Sequence, residues 1–143
     1  MPMRDFLFGG SGGGSKLSDA GLAVVRVVAG LALAVNHGAA KIQDASAVIR
    51  DARSMGFPAP TFFGWMAALS EFLGGILLAL GLATRPAALL VGCTMFTAAF
   101  IYHADDNLKK REDALVFLSV AVLFLLAGSG RYGVDALLRR RKS

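Results

Sequence analysis

Most apolar residues of this chain are gathered into four long runs, and this arrangement constrains its fold more than any other feature. Short polar segments separate the runs, and 55% of the 143 residues are hydrophobic. A soluble domain carries about 45–50% apolar residues, spread over amphipathic elements. Runs that approach the roughly 20 residues needed to cross a bilayer therefore predict an all-α fold, an integral membrane four-helix bundle of one domain.

Four transmembrane spans are predicted from these runs. They cover residues 20–39, 61–82, 87–102 and 114–127. The last run is short and is expected to continue through residues 128–134 to reach the interface. Ser18 or Asp19 is expected to cap the first helix, because a short polar side chain there accepts hydrogen bonds from unpaired backbone N–H groups. An even number of crossings places both chain ends on one face of the membrane.

The sequence divides into three parts. Residues 1–17 include a Gly/Ser-rich run and are expected to form a flexible segment, since this composition buries little apolar surface. Residues 18–138 form the predicted transmembrane domain, and residues 139–143 form a basic tail. Within the domain, residues 41–55 place apolar side chains at helical spacing between charges. This spacing predicts a short amphipathic helix on the membrane surface or, as an alternative, an ordinary loop helix.

The net charge of +5 comes from basic residues at the ends of the predicted spans. A nucleic-acid-binding protein would instead carry a basic face interleaved with aromatic residues, so no nucleic-acid partner is predicted. Lys and Arg are more numerous on the face that holds both termini, which includes Arg85 and the cluster at 139–142. This bias predicts that both termini lie in the cytoplasm.

Two charged residues fall inside predicted spans. Arg26 lies part-way along the first span, and Glu71 lies near the centre of the second. A charge in the bilayer centre costs at least roughly 2.5–3.5 kcal/mol, so both side chains are expected to face the bundle interior. If the span centres are aligned, the two residues are offset by about 7 Å along the helix axes. A direct or water-bridged Arg26–Glu71 ion pair is therefore predicted, with either a structural role or a role in proton or ligand handling.

The first span carries a polar stripe and a row of small residues. The stripe consists of Arg26, Gly30, Leu33, His37 and Lys41, which lie within about 80° of one another on a regular α-helix. The small residues are expected to let the first two helices pack closely. The row on the first helix is Gly30, Ala34 and Gly38, and its counterpart on the second is Gly74, Gly75 and Gly81.

Several potential metal or proton ligands belong to the outer end of the bundle. His37, Lys41 and His103 lie there, near a loop rich in carboxylates. Their spacing matches no metal motif, so no metal site is predicted. Cys93 is the only cysteine in the sequence, which excludes an internal dithiol couple and indicates a packing role.

Four sequence segments together resemble the DoxX family of small bacterial membrane proteins. The segments are Arg26 with Gly30 and His37–Lys41, then Met55–Pro60, then Glu71–Gly75 with Leu80–Arg85, and finally Gly128–Arg131 with Asp135. The resemblance implies a four-helix bundle in the bacterial inner membrane. It also implies an association with redox complexes that handle thiosulfate, thiols or oxidative stress. The family offers Arg26, Lys41, Glu71 and Arg85 as candidate site positions and no agreed catalytic residues.

Three functions are compatible with these observations. The favoured hypothesis is a membrane subunit of a redox complex that binds a quinone or conducts protons, and that contacts lipid and partner proteins. The alternative is a scaffold or assembly factor in which the Arg26–Glu71 pair is purely structural. A small transporter is disfavoured because paired broken helices are missing from the sequence pattern, and a homo-oligomer is left open. The candidate polar or ligand residues are Arg26, His37, Lys41, Glu71, Arg85 and His103.

Overall fold

The computed structural model describes residues 15–140, and these residues are helical with no strands. The element order is α1 (Lys16–Ala32), a π-helical segment (Leu33–Gly38), α2 (Ala39–Gln43), α3 (Ser46–Ser54), α4 (Pro60–Leu80), α5 (Thr84–Thr97), a second π-helical segment (Ala98–Tyr102), α6 (Leu108–Ala127) and α7 (Val134–Arg140). The predicted all-α class is confirmed. The Gly/Ser-rich run of the N-terminal segment and the end of the basic tail lie outside the described residues, apart from Ser15.

Within residues 15–140, three helices are long and apolar enough to cross a membrane. They are the continuous helix Lys16–Gln43, here called the first long helix, then α4, and then Thr84–Tyr102, here called the third long helix. This result agrees with the predicted membrane bundle. Helix α6 begins with a charged turn, and its apolar part is correspondingly shorter. A fourth crossing by α6 stays a prediction.

The helix ends differ from the predicted ones because other residues supply the caps. Ser15 caps the first long helix, since its hydroxyl accepts a hydrogen bond of 3.1 Å from the Ser18 N–H. The prediction of Ser18 or Asp19 as the cap is therefore wrong. Asn107 caps α6, which begins at Leu108 rather than near 114, because charged residues are good helix formers. Helix α6 ends at Gly128, whose φ of 71° stops the helix before 128–134.

Helix α3 confirms that the segment after the first long helix contains an amphipathic helix. Ala45, just before it, and Ala52 within it are buried. A methyl group at Gly64 of α4 would lie 2.6 Å from the Ile49 side chain, so α3 approaches α4 at this point. The apolar face of α3 thus packs against α4.

The first long helix and α4 are in backbone contact at Gly30, Gly38 and Gly75, as predicted, whereas the predicted contact at Gly74 is wrong because Gly74 faces Val91 of α5. A methyl group at Gly30 would lie 2.5 Å from the Gly75 carbonyl oxygen, and one at Gly75 would lie 2.7 Å from the Gly30 oxygen. A methyl group at Gly38 would lie 2.5 Å from the Phe72 backbone. No side chain fits between the two helices at these positions. On the other side of α4, the buried core is formed by α5 and α6, with Val91, Ala121 and Phe124 at its centre.

Replacing Gly30 with alanine is expected to destabilise the bundle by about 1–3 kcal/mol, because the added methyl group forces two backbones apart. The measurement is thermal unfolding of the purified protein in detergent. Gly21→Ala is the matched control, since nothing lies within 4 Å of a methyl group on that glycine of the same helix. Equal melting temperatures for the two variants would contradict the assigned close contact.

Candidate functional site

Arg26 and Glu71 have separate partners, so the predicted ion pair between them is wrong. The Arg26 guanidinium donates to the carbonyl oxygens of Leu78 and Tyr132, each at 3.3 Å. The Glu71 carboxylate instead accepts hydrogen bonds from the Lys41 ammonium, whose Nζ lies 2.7 Å from Oε1 and 2.6 Å from Oε2. Two polar sites therefore exist where one was predicted, at opposite ends of the bundle.

The glycine contacts explain this difference. They place Gly30 beside Gly75 and Gly38 beside Phe72, so Glu71 lies level with the end of the first long helix. The prediction aligned the centres of the two spans. Backbone contact at small residues fixes the register instead. In this register Arg26 lies beside the end of α4 rather than near Glu71.

The π-helical segment Leu33–Gly38 divides the predicted polar stripe. A π-turn holds one residue more than an α-turn, so side chains beyond it are rotated by about 100° relative to a regular α-helix. His37 accordingly packs edge-on against the Phe117 ring of α6, with ring centroids 5.4 Å apart. Lys41 points to α4. The residues of the predicted stripe therefore contact different helices along its length.

One end of the bundle, here called the closed end, is held by buried carboxylates that pair with backbone and side-chain donors. The Asp135 carboxylate accepts hydrogen bonds from the N–H groups of Ala83 and Thr84 at 2.8 and 3.0 Å, and from the Thr84 hydroxyl at 2.8 Å. It thereby caps α5 from a distant part of the chain. Asp19 accepts from Arg131 at 3.1 Å. The sequence analysis considered Asp19 only as a helix cap and assigned no role to Asp135, although Asp135 belongs to the DoxX-like segments.

The candidate residues Arg26 and Arg85 belong to the closed end and contact helix ends. Arg26 donates to Leu78 in the last turn of α4, and Arg85 donates to the Leu126 oxygen in the last turn of α6 at 3.0 Å. Cations stabilise the free carbonyl groups at helix C-termini. Gly81 has a φ of 67°, and a side chain there would overlap the Arg26 guanidinium. These contacts indicate structural roles for both arginines.

The opposite end of the bundle contains a cavity of about 380 Å³, here called the cavity, between α3, α4 and the third long helix. Its polar lining consists of Lys41, Asp51, Ser70, Glu71, Thr94, Thr97, Tyr102 and His103. Phe57, Phe62, Phe63, Met55 and Met66 supply much of the apolar lining. Glycine contacts close most of the interface between the first long helix and α4, so the cavity lies on the other side of α4. The third long helix contributes several of its polar groups.

The Lys41–Glu71 ion pair connects the buried wall of the cavity to its surface. The Glu71 side chain is 3% exposed, whereas that of Lys41 is 34% exposed. A buried carboxylate in a membrane protein needs such a partner to stay charged. Across the cavity, the Ser70 and Thr94 hydroxyls are 2.6 Å apart and join α4 to α5. The Asp51 carboxylate of α3 interacts with the Tyr102 hydroxyl.

His103 lies at the mouth of the cavity and is tied to the following loop. Its Nδ1 is 2.7 Å from the Asp106 carboxylate, which also accepts from the Lys110 ammonium at 2.9 Å. The hydrogen bond from Lys110, followed by that from His103, lowers the pKa of Asp106. Among the described residues, no group of three His, Cys, Asp or Glu is arranged to hold a metal ion.

Comparison with known proteins identifies the family. The sequence profile of DoxX matches residues 21–104. The chain belongs to the DoxX family. It is 30% identical over 132 residues to "Inner membrane protein YqjF" of Escherichia coli (strain K12), which covers 88% of this chain and 98% of that protein. It is 33% identical over 129 residues to "Putative oxidoreductase CatD" of Bacillus subtilis (strain 168), covering 90% and 94% respectively. No solved structure matches the chain significantly.

Replacing Lys41 with methionine is expected to destabilise this DoxX-family membrane protein by about 3–5 kcal/mol, since it leaves the Glu71 carboxylate buried without its cation. The double variant Lys41→Met/Glu71→Gln should recover much of that loss, because it buries no charge. Thermal unfolding of the two single variants and the double variant measures the coupling. Additive effects would contradict a direct interaction between the two side chains.

Replacing Asp135 with asparagine is expected to destabilise the closed end by about 1.5–3 kcal/mol. The amide NH2 group would replace one carboxylate oxygen, and it cannot accept the hydrogen bond that this oxygen accepts from the N–H of Ala83 or Thr84. Asp105→Asn, at an exposed loop carboxylate, is the matched control. Unfolding in detergent should separate the two variants, and an unchanged melting temperature for Asp135→Asn would refute the capping role.

Proposed function

We propose that this protein is a membrane subunit of a redox system and binds a quinone head group in the cavity. The observation that carries the proposal is the buried Lys41–Glu71 pair, which forms one wall of a cavity enclosed by apolar and aromatic side chains. Small-molecule sites in proteins combine an apolar enclosure of about 300–1,000 Å³ with a few convergent polar groups. The cavity has both properties.

The charges of the cavity favour a neutral head group. Lys41 compensates Glu71, and Asp51 remains as a negative charge beside Tyr102, so an anionic ligand is disfavoured. A hydrogen-bond donor for a carbonyl oxygen is available from the Lys41 ammonium, which has three N–H groups and whose side-chain partners are the two Glu71 oxygens. The rings of Phe57 and Phe63 pack against each other, with centroids 4.7 Å apart, and give the cavity an aromatic lining suited to an aromatic or quinonoid ring. A neutral ring with carbonyl groups satisfies these conditions together.

Glu71 and Lys41 also suit proton handling. Quinone reduction takes up protons together with electrons, so such a site needs an exchangeable proton next to the ligand. The Glu71 carboxylate is an ionisable group inside the cavity, and Lys41 links it to the more exposed rim. With a single cysteine, the chain holds no dithiol couple, and electron transfer is assigned to a partner protein.

The names of the relatives agree with this proposal at a general level. CatD carries the word oxidoreductase in its name, and YqjF is named as an inner membrane protein. We accordingly propose the bacterial inner membrane as the location. With α6 as the fourth crossing, both termini lie in the cytoplasm, which the basic cluster at 139–142 favours.

A second candidate function is a membrane scaffold or assembly factor. The closed end favours it, because Asp19, Arg26, Arg131 and Asp135 all serve packing and capping. In that case the Lys41–Glu71 pair is a further structural lock and the cavity binds no specific ligand. A binding measurement separates the two functions.

Glu71→Gln is expected to weaken binding of a short-chain benzoquinone by about tenfold or more, because it removes the ion pair that organises the cavity wall. The measurement is quenching of Trp65, the only tryptophan of the chain, which precedes the cavity residue Met66 in α4. Glu112→Gln, at an exposed position in the first turns of α6, is the control and should bind like the parent protein. Unsaturable quenching in the parent protein, or equal affinity in both variants, would favour the scaffold.

A further inference from the structure

A second, almost wholly apolar groove lies on the other side of the third long helix. Its volume is about 420 Å³, and it runs between α5 and α6. Leu89, Gly92 and Phe96 line it from α5, and Leu118, Val122 and Leu125 line it from α6. The groove is separate from the Lys41–Glu71 pair and has no role in the head-group site described above.

The groove and the cavity meet at two residues. Cys93 and Thr97 line both of them, so the two spaces adjoin across one turn of the third long helix. Cys93 is exposed, and Leu90 and Phe96 beside it are 44% and 52% exposed. This connection therefore opens to the side of the bundle, where a membrane would supply lipid.

The hydroxyl groups along the connection are paired with backbone carbonyl groups of the same helix. Thr97 donates to the Cys93 carbonyl oxygen at 2.9 Å, and Thr94 donates to the Leu90 oxygen at 3.2 Å. These bonds to the preceding turn satisfy both hydroxyls. An apolar chain can lie across such a surface without burying an unpaired polar group.

We propose that the ligand of the cavity is a single-chain membrane lipid, with its polar head in the cavity and its isoprenoid or acyl tail in the groove between α5 and α6. The ligand enters sideways from the bilayer past Cys93 and Thr97. This proposal rests on the proposed function for the head group and adds the tail site and the lipid class of the ligand. The lining residues Cys93 and Thr97, which the two spaces share, assign this occupant to the groove.

Gly92 keeps the groove open. A methyl group on Gly92 would lie 3.5 Å from the Ala121 methyl group, which is ordinary contact, so a larger side chain fits only by occupying the groove. Gly92→Leu therefore fills the tail site without touching the Lys41–Glu71 pair. Val122→Phe fills the groove from α6, at a position that is 47% exposed. It is the alternative test variant if Gly92→Leu fails to fold. Gly21→Leu, at an open position on the first long helix, is the matched control.

The test uses the full chain in phospholipid nanodiscs with a quinone that carries a photoreactive diazirine near the end of an isoprenoid tail. After illumination, mass spectrometry locates the labelled peptides. We expect labelling to concentrate in α5 and α6, to fall about tenfold with excess unlabelled long-tailed quinone, and to fall similarly in Gly92→Leu. Gly21→Leu should leave it unchanged, and a diazirine phospholipid should label all lipid-facing helices.

Labelling spread evenly over the lipid-facing helices, or insensitive to competitor and to Gly92→Leu, would overturn the tail site. So would an equal concentration of the phospholipid label in α5 and α6, since an ordinary bilayer chain would then occupy the groove. If Trp65 quenching by the short-chain quinone persists in these cases, the head-group proposal survives. Loss of saturable quenching in the parent protein would instead overturn the proposed function itself.

Discussion

The backbone contact between the first long helix and α4 is the constraint on which the rest of the structure depends. Gly30 and Gly75 approach each other so closely that neither tolerates a methyl group. In a membrane, helices gain little from hiding apolar surface, and close backbone packing is a main source of their association. This contact therefore sets the register of the two helices that carry the intramembrane charges.

The register has two consequences for the polar residues. It moves Arg26 to the closed end, where carbonyl groups at helix ends accept its hydrogen bonds, and it brings Lys41 level with Glu71. It also closes the interface between the first long helix and α4, so an internal space can form only on the other side of α4. The cavity is found there, lined by α3, α4 and the third long helix.

The two ends of the bundle differ in what their polar groups do. At the closed end, Asp135 and Asp19 are 2% exposed and bind backbone N–H groups or Arg131. These bonds hold the start of α5 and join the first long helix to the segment after α6. At the cavity end, Lys41 and His103 are partly exposed and meet partners at the edge of an open space. The DoxX-like sequence segments contribute to both ends. Resemblance to the family alone therefore does not separate structural residues from candidate site residues.

The sequence alone predicted the all-α membrane class, the approximate positions of the long helices, an amphipathic helix within residues 41–55 and the need of Arg26 and Glu71 for buried partners. These properties follow from hydropathy, helical periodicity and the cost of charge in lipid, which act over local windows. Only the tertiary structure shows which residue pairs with Glu71, that the polar stripe is divided at Leu33–Gly38, and where the cavity lies. These features depend on the register between helices and on the π-helical segment. A shift of one helical turn would place each side chain beside different residues of the neighbouring helix.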